Sequence, residues 1–417
     1  MMTLGHIERE TIMRSFITEE KRDIPLKGSY EVVVAGGGIA GIAAAMAAAR
    51  CGKKVLLIER EFGLGGMATL GLVTIYLPLC DGNGTQVSFG IAEELLKFSI
   101  RHGCEEYYPK AWIEGGSDEE RMKQRYIAQF NPHFFSLSVE EMLEEMGIDI
   151  LFGSVICGTE VSDGFIKSLI IENKSGRTAI EAGSVIDCTG DADICAMSGA
   201  KTELHKGGNG LASWYYYFTE GKYHLKMFGL ADLVTQMKEK DGQEYSAEKT
   251  ESLDTMRFSG VDGYELSKAV MRARRKMYYD ILEKQKEDST YAPVTTSTIP
   301  LVRMSRRLSG IRALDYSEDH KYQADSIGMI GDWRKKGPVF ELPFGILYGK
   351  EIRNLLTAGR DVSVTDDMWD VTRVIPACAV TGEAAGTAAG LFEDMTKADV
   401  AELQKRLVSQ GVKLHLD

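Results

Sequence analysis

The stretch Val32–Glu59, VVVAGGGIAGIAAAMAAARCGKKVLLIE, decides the fold of this chain. A β-branched apolar run, Val32–Val34, enters a glycine-rich turn, and an alanine-rich stretch, Ile39–Arg50, follows that turn. A second apolar run, Val55–Ile58, ends at an acid. Short apolar runs on either side of a longer helix-forming segment predict strand, turn, helix and strand, which is the opening unit of a parallel α/β sheet.

The glycines of this turn have the G-x-G-x-x-G spacing. Gly36 allows the sharp turn, Gly38 lets the backbone approach a pyrophosphate, and Gly41 lets the helix pack on the strand. The start of the helix offers N–H groups and partial positive charge to the phosphates. Glu59 follows Gly41 by 18 residues, where an acid accepts hydrogen bonds from a ribose. The pattern predicts a dinucleotide site; the alternative is a buried Gly/Ala-rich unit that binds nothing.

A membrane span is the competing interpretation of residues 32–49, because these 18 residues carry no charge. Three consecutive glycines argue against one continuous helix, so we expect no span. The chain does not open with a basic segment followed by an apolar one, and we therefore expect a cytoplasmic protein.

The composition is that of an enzyme-sized globular protein. The 417 residues favour two closely joined domains, and the net charge of −12 argues against a nucleic-acid-binding surface. The seven cysteines are scattered, odd in number and without a C-x-x-C pair. They therefore indicate neither a disulfide framework, nor a redox dithiol, nor an iron–sulfur cluster, and we expect no metal site.

The rest of the chain contains further dinucleotide-domain motifs, separated by a middle segment with a different sequence pattern. Residues 23–200 and 346–400 predict one discontinuous Rossmann-like domain, with residues 201–345 inserted as an α+β substrate or cap domain. Within the insertion, the aromatic run at 211–218 predicts a strand and residues 222–290 are mostly helical in pattern. In the first part, Ser138 has the spacing of a capping box and predicts a helix start.

These motifs together resemble the FAD-dependent oxidoreductase family grouped with the succinate dehydrogenase/fumarate reductase-like flavoproteins. The resemblance covers roughly residues 23–395. It rests on AGGGIAG with Glu59-Arg60, LGGMAT, GLVT…DGNGTQVSFGIAEEL, DCTGDAD, RMSRRLSG, NLLTAGR and RVIPACAVTGEAAGTAA. It implies FAD as the cofactor, a glutathione-reductase-type FAD fold and redox chemistry at the flavin ring.

The resemblance also implies which residues contact FAD. Carried over by position, they are Gly36, Gly38, Ile39, Ala40 and Gly41 at the pyrophosphate, Glu59 at the adenosine ribose, Arg60, Gly65, Gly66 and Met67 along the cofactor, the Val155 backbone near the adenine, Gly190, Gly359 and Arg360 at the diphosphate and ribityl region, and Ala377 and Cys378, within residues 373–378, at the isoalloxazine. One departure is that Asp366-Asp367 stand where the family pattern often has a His-Glu pair.

The leading hypothesis is hydride transfer between flavin N5 and a small polar organic substrate, by dehydrogenation of a C–H or CH–OH group or by its reverse. Arg373 is the first candidate to anchor a substrate anion, and Arg306 with Arg307 is the next. Asp366 or Asp367 is the candidate base. Structural ion pairs or a domain tie are the alternatives for the arginines. His205 and His320 are weaker acid–base candidates.

Two other functions stay open at this point. One is a flavin-dependent hydroxylase, which needs a reductant and oxygen. The other is an electron-transfer flavoprotein subunit that works with a redox partner protein and docks through an exposed aromatic patch around residues 214–217. No second glycine motif follows a strand, so no dedicated pyridine-nucleotide domain is predicted. Assembly into a homo-oligomer is a further hypothesis that the sequence leaves open.

Overall fold

The computed structural model describes residues 17–229 and 254–416. Its strands are β1 (Leu26–Ala35), β2 (Val55–Ile58), β3 (Ile75–Tyr76), β4 (Ala128–Gln129), β5 (Asp149–Leu151), β6 (Val155–Ser162), β7 (Phe165–Asn173), β8 (Gly176–Asp187), β9 (Thr202–Leu204), β10 (Tyr215–Thr219), β11 (Lys222–Lys226), β12 (Ala292–Thr296), β13 (Arg306–Leu308), β14 (Ser326–Gly331), β15 (Val339–Pro343) and β16 (Leu355–Thr357). Its α-helices are α1 (Ile39–Arg50), α2 (Ile91–Ile100), α3 (Lys110–Ile113), α4 (Asp118–Lys123), α5 (Pro132–Glu145), α6 (Asp193–Ser198), α7 (Gly263–Glu287), α8 (Asp366–Thr372), α9 (Ile375–Leu391) and α10 (Val400–Ser409).

A seven-stranded sheet carries the dinucleotide motifs. Strands β5, β2, β1 and β8 are parallel neighbours in that order, and β16 pairs in parallel with the carboxyl end of β8. Strands β7 and β6 extend the sheet on the other half of β8 as an antiparallel meander. The predicted α/β class is confirmed. The carboxyl ends of β1, β8 and β16 lie side by side, which is where ligands bind in sheets of this type.

Both faces of this sheet are buried, as parallel strands require. Val32 and Val34 face the core that contains α1 and α9, whereas Val33 and Ala35 face a second core formed with β7, β8 and α6. The alternation follows from the two-residue period of a strand. Where both faces are covered, at Val32–Ala35 and along β2, the strands consist of apolar residues throughout, and this is the pattern seen in the sequence.

Helices α1 and α9 pack against each other at close range because small residues line their contact. A Cβ added to Gly382 or Gly386 would overlap the backbone of Ala40 or Ala44, respectively. These pairs advance together along both helices, so α1 and α9 run in the same direction. Their amino-terminal ends therefore lie at the same end of the pair, beside the carboxyl ends of the strands.

One carboxylate lies within this small-residue helix. Glu383 is buried, and its Oε2 accepts a hydrogen bond from the Ile91 N–H (2.8 Å) at the start of α2. The favourable end of the α2 dipole lies next to it. Burial nevertheless raises the pKa of Glu383 from 4.5 to about 8. Glu383 is therefore largely a neutral acid at pH 7.

Glu383 is expected to make stability fall as the pH rises. Its folded pKa lies above its unfolded pKa, so its stabilisation is complete below the unfolded value and is lost as the pH rises through about 8. Glu383→Gln keeps an acceptor for Ile91 and cannot ionise. We expect the variant to gain stability over the wild type from about pH 5 to about pH 9, by on the order of 1–3 kcal/mol. Calorimetry across this range checks it, and parallel melting curves at every pH would contradict it.

The middle of the chain forms a separate three-stranded sheet, ordered β11-β10-β12, against the long helix α7. Trp214, Tyr215 and Tyr216 are buried in its two cores, so the aromatic run is internal. The long helix matches the sequence prediction, but Lys222–Lys226 forms a strand rather than a helix. The predicted helical stretch at 230–253 lies outside the described residues.

The boundaries of the two domains stay a prediction. The hairpin of β14 and β15 belongs to the stretch assigned to the inserted domain, yet Ile327, Ile330 and Phe340 pack in the same core as α1 and α9. The prediction of a helix start near Ser138 is wrong. Helix α5 begins at Pro132, because the Asn131 side chain accepts the Phe134 N–H (2.9 Å) and proline is favoured in the first turn.

Within the described residues, no single helix has the length and apolarity needed to cross a membrane. Helices α8 and α9 reach that length and composition only as a pair, across a bend of 90°. Most of α9 is buried against α1 and the sheet.

Candidate functional site

The glycine-rich turn after β1 has the geometry that its sequence predicts. Gly36 has a φ of 102°, and a Cβ there would meet the Cys188 carbonyl oxygen. A Cβ on Gly41 would overlap the Gly36 carbonyl, so this glycine closes the turn against the helix. Gly38 differs, because a Cβ there would meet no atom of the described residues within 4 Å. The turn is therefore tightly packed at its two flanks and open at Gly38.

Glu59 lies at the end of β2, beside this turn. Its Oε2 accepts the Gly37 N–H (2.6 Å) and its Oε1 accepts the Glu61 N–H (2.9 Å). Burial is the main influence on Glu59 and raises its pKa, although these two hydrogen bonds oppose the shift. Each carboxylate oxygen keeps a further lone pair. The acid is thus fixed against the glycine turn and can still accept a ligand hydroxyl.

The second glycine cluster packs directly on the first. The Gly65 N–H donates to the Gly37 carbonyl (2.8 Å), and a Cβ on Gly66 would lie 3.1 Å from the Gly38 Cα. Both glycines have positive φ, of 99° and 53°, a conformation that other residues rarely adopt. Met67 follows them and is partly buried.

Two predicted cofactor residues, Arg60 and Val155, lie near Glu59 and have exposed side chains. The Arg60 side chain is half exposed, with an ion-pair contact of 3.8 Å to Glu61. Val155 begins β6 with an exposed side chain, directly after Ser154, whose N–H donates to the Glu59 carbonyl (3.1 Å). Both residues therefore lie close in the fold to the acid that the sequence assigns to the ribose.

The residues predicted from the later motifs meet at the start of α1 and α9. The Gly359 N–H donates to Thr381 Oγ1 (3.0 Å), and a Cβ on Gly359 would meet Ala40 Cβ at 2.9 Å and Cys378 Sγ at 3.6 Å. Gly359 thus fills the gap between the first turns of the two helices. Its φ of 95° and the lack of space both require glycine.

Arg360 connects this point to the β8 end and to the inserted segment. Its guanidinium donates to the Val302 carbonyl and to Asp191 Oδ1 (3.4 Å). It lies against Gly190, where a Cβ would meet the guanidinium. Asp191 also accepts from Ser305 Oγ. Arg360 therefore joins three chain segments around the carboxyl ends of β8 and β16.

The amino-terminal ends of α1 and α9 give the site its electrostatic character. Neither helix has a side-chain cap or an acid in its first turn. Both ends are buried and lie side by side, so two partial positive charges point to the same place. Together with the open position at Gly38 and the acceptor Glu59, this arrangement fits the pyrophosphate and ribose of a dinucleotide.

A family model for FAD dependent oxidoreductases matches residues 31–300 and 309–408. The chain belongs to that family. The resemblance inferred from the motifs is confirmed, and with it FAD as the cofactor and an oxidoreductase as the class of enzyme. The match spans the dinucleotide motifs, the middle segment and the returning helix α9.

The individual relatives are more distant. Thioredoxin reductase of Ureaplasma parvum serovar 3 is 29% identical over 97 residues, which is 23% of this chain and 28% of that protein's length. Among solved structures, a geranylgeranyl bacteriochlorophyll reductase-like protein from Thermoplasma acidophilum matches with a TM-score of 0.44 and 13% identity, over 92% of this chain and 83% of the other. The p-nitrophenol 4-monooxygenase of Pseudomonas putida DLL-E4 matches with a TM-score of 0.44 and 12% identity, over 92% and 84%. Likeness at this level does not assign a reaction.

The candidate residues Arg306 and Asp366 are both engaged by other protein groups. Arg306 donates to the Asp191 carbonyl (2.8 Å) and to Asp193 Oδ1 (2.6 Å). Asp366, the candidate base, accepts from Arg307 (2.6 Å) and has a half-exposed side chain. Arg307 itself lies over the Trp369 ring at 4.5 Å.

Arg373 is mostly buried and lies just before the first turn of α9. Its Nε and Nη2 both donate to Asp370 Oδ1, with Nε at 2.8 Å. The anticipated alternative of an ion pair therefore exists, but with Asp370 and not with Asp366 or Asp367. The Nη1 side of the guanidinium makes no hydrogen bond to the described residues, and the guanidinium carbon lies 5.8 Å from the centre of the Trp333 ring.

The remaining titratable candidates have contrasting environments. His205 packs edge-on against Trp369 at 5.6 Å, its Nδ1 is buried without a partner among the described residues, and burial lowers its pKa. His320 is half exposed beside Asp319. Burial raises the pKa of the Cys378 thiol to about 12, so it stays protonated and is not a thiolate nucleophile.

Two residues of this site are not predicted from the sequence. Asp191, which accepts from Arg360 and Ser305, lies inside the quoted DCTGDAD motif. Asp370 precedes Arg373 by three residues, which is an ion-pair spacing once that segment is known to be helical. The spacing of Asp370 and Arg373 would therefore have indicated their ion pair if α8 had been predicted as a helix.

Proposed function

We propose that the protein transfers a hydride between bound FAD and a small polar organic substrate, by dehydrogenating a C–H or CH–OH group or by the reverse reaction. FAD supplies the two-electron chemistry when it is bound. The observation that carries this proposal is the position of Arg373. This mostly buried guanidinium, whose Nη1 side makes no hydrogen bond within residues 17–229 and 254–416, precedes a helix that starts beside the dinucleotide turn.

The residues that we propose to hold FAD fall into four groups along the ligand. Gly36, Gly38, Ile39, Ala40 and Gly41 bind the pyrophosphate, Glu59 the adenosine ribose, Arg60, Gly65, Gly66, Met67 and Val155 the adenosine half, and Gly190, Gly359, Arg360, Ala377 and Cys378 the ribityl and ring half. The packing of the second glycine cluster on the first supports the adenosine group. The position of Gly359 between two uncapped helices supports the ring half.

The proposed role of Arg373 is to orient an anionic or oxyanionic group of the substrate. Its fork suits planar anions, and its attachment to Asp370 holds the guanidinium in one orientation. Asp366 and Arg306 rank below it as catalytic candidates because their side chains are more exposed, at 48% and 21% against 11% for Arg373. The electron-transfer alternative loses its docking surface, because Trp214, Tyr215 and Tyr216 are buried.

Substitution of Arg373 tests this role. Arg373→Ala is expected to leave FAD bound and to slow substrate-dependent bleaching of the flavin by about 100-fold or more, the usual loss when one oriented donor is removed. The measurement is anaerobic stopped-flow absorbance with any compound that bleaches the wild type. Arg373→Lys keeps a positive charge beside Asp370 and serves as the second variant if Arg373→Ala does not fold. Arg353→Ala removes another arginine paired with an aspartate, Asp394, and is the matched control. Unchanged bleaching in Arg373→Ala would refute the role.

The same anaerobic experiment separates the alternatives. Bleaching by an organic compound without oxygen supports hydride transfer. A hydroxylase would instead need an external reductant and would place an oxygen atom from O₂ in its product, which labelled oxygen and mass spectrometry would detect. Absence of bleaching with every small molecule, together with reduction by a partner protein, would favour the electron-transfer subunit.

A further inference from the structure

The long helix α7 packs on the inserted segment through one face only. The buried side chains of this face recur at every fourth residue: Ala269, Ala273, Met277 and Ile281. They lie in two small cores, one of which contains Leu211 and the other Tyr215. The contact of the helix with the sheet therefore uses no apolar residue of the opposite face.

The opposite face nevertheless carries a line of large apolar side chains, which we name the α7 row: Tyr264, Met271, Tyr278, Tyr279 and Leu282. Their exposed fractions lie between 36% and 85%. Since each residue of a helix turns the chain by about 100°, Tyr264 and Leu282 share one line along the helix and the other three lie within about 60° of it. The α7 row is about 27 Å long. Single exposed apolar residues are common, whereas a continuous row of them indicates an interaction surface.

The charges that α7 places beside this row all have one sign. Lys268, Arg275 and Lys286 are exposed and lie within about 40° of the line from Tyr264 to Leu282. Among the residues that the structure describes, Lys268 and Arg275 form no ion pair. The acids of the helix lie about 100° or more from that line: Glu265, Asp280, Glu283 and Glu287. The surface is thus apolar and positive, in a chain whose net charge is −12.

We propose that the α7 row binds the surface of an anionic lipid bilayer, with the helix lying parallel to the membrane plane. An apolar line flanked by lysine and arginine is the pattern of helices that lie in this interface. Tyrosine favours the headgroup region, and the stems of lysine and arginine stay with the apolar side chains while their charges meet lipid phosphates. Because the chain as a whole is acidic, an anionic surface attracts it only through such a positive face.

The charges of the α7 row decide against a second copy of the chain as its occupant. A two-fold axis brings the same surface of both copies together, so Lys268 and Arg275 would face their own counterparts without an acid from either row between them. An acidic protein matches the charge equally well. It would, however, need a groove shaped to a convex ridge, whereas a fluid bilayer adapts to the ridge.

Sedimentation of the FAD-bound protein with lipid vesicles tests the proposal. Vesicles of phosphatidylcholine with phosphatidylglycerol, at about three to one, are compared with vesicles of phosphatidylcholine alone. We expect the protein to partition at least about tenfold more strongly onto the anionic vesicles and to be released by high salt. Binding to neither kind of vesicle, or equal binding to both, would overturn the proposal.

Substitutions then locate the contact. One double variant, Met271→Ser with Tyr278→Ser, removes apolar surface, and a second, Lys268→Gln with Arg275→Gln, removes charge. Each is expected to weaken binding to anionic vesicles by about tenfold or more. The melting temperature should stay that of the wild type, because all four side chains are exposed. Undiminished binding in either double variant would overturn the proposal.

Matched controls make the same chemical changes on exposed side chains outside α7. Met122→Ser with Leu137→Ser is the apolar control, and Lys123→Gln with Lys201→Gln is the charge control. Both are expected to bind anionic vesicles within about twofold of the wild type, because a charge more than a Debye length from the membrane is screened. A loss in the controls as large as that in the α7 variants would overturn the proposal, since binding would then not belong to α7.

Two further measurements separate the other occupants. If analytical ultracentrifugation shows a dimer that Met271→Ser with Tyr278→Ser converts to a monomer, the α7 row belongs to a second copy and the proposal is overturned. Polyglutamate serves as a probe for an acidic protein chain. We expect it to compete weakly with the vesicles, because it offers no apolar layer to the tyrosines. Binding of polyglutamate as tight as that of anionic vesicles would overturn the proposal.

Discussion

Replacing Gly38 by alanine is expected to weaken FAD binding by about 10- to 100-fold. The cofactor-free variant is expected to fold as the wild type does. The reason is that an alanine Cβ at this position meets no atom within 4 Å in the part of the chain that the structure describes. Gly38 also has a φ of −70°, which alanine adopts without strain. The methyl group therefore disturbs nothing in the protein and enters the space that we assign to the pyrophosphate.

The measurement compares FAD titrations and thermal melting of the cofactor-free protein. Gly263→Ala is the matched control, because Gly263 also has open space around its Cβ and lies at the start of α7, far along the chain from the turn. We expect wild-type affinity from Gly263→Ala and wild-type melting from both variants. If Gly38→Ala binds FAD as the wild type does, the cofactor does not approach the turn at Gly38.

Gly386→Ala is expected to produce the largest loss of stability, about 3 kcal/mol or more, which is the upper range for overpacking a core. The added Cβ would overlap the Ala44 backbone, and neither helix can move away because both are buried on all sides. Chemical denaturation of the cofactor-free protein measures the effect. Gly263→Ala again serves as the control, since it makes the same chemical change without a clash.

The same variant tests the link between packing and cofactor binding. Separation of α1 from α9 displaces the two helix starts that flank Gly359, so FAD affinity is expected to fall together with stability. A denaturation midpoint equal to that of the wild type would show that the contact between the two helices is looser than the structure has it.

The Val32–Glu59 unit could be read almost completely from the sequence. Helix α1 and strand β2 have the bounds that the pattern predicted, since periodicity and glycine spacing are local signals that tertiary contacts reinforce. The long helix α7 was also predictable, because charge and apolar residues alternate with a helical period over many turns. FAD followed from several motifs in a fixed order.

The arrangement of the catalytic candidates was much less predictable. The segment SVTDDMWDVTRVIP does not show a clear helical period, so the sequence does not predict the ion pair of Arg373 with Asp370. The pairing of Arg306 with Asp193 depends on β13 lying beside the end of β8, more than 100 residues away in sequence. Local patterns do not encode such distant contacts. The prediction of a helix at Lys222–Lys226 is wrong for a local reason: the two-residue turn Glu220-Gly221 joins this stretch to β10, and pairing with β10 makes it a strand.

Titration of the purified wild-type protein with FAD tests the central claim most directly. The two converging helix starts, the open position at Gly38 and the acceptor Glu59 fit a dinucleotide, and the family match identifies FAD as the cofactor. We predict saturable binding of one FAD per chain, with the visible absorbance of a protein-bound flavin and release of intact FAD on denaturation. A colourless protein that gains no flavin absorbance when FAD is added would contradict the account.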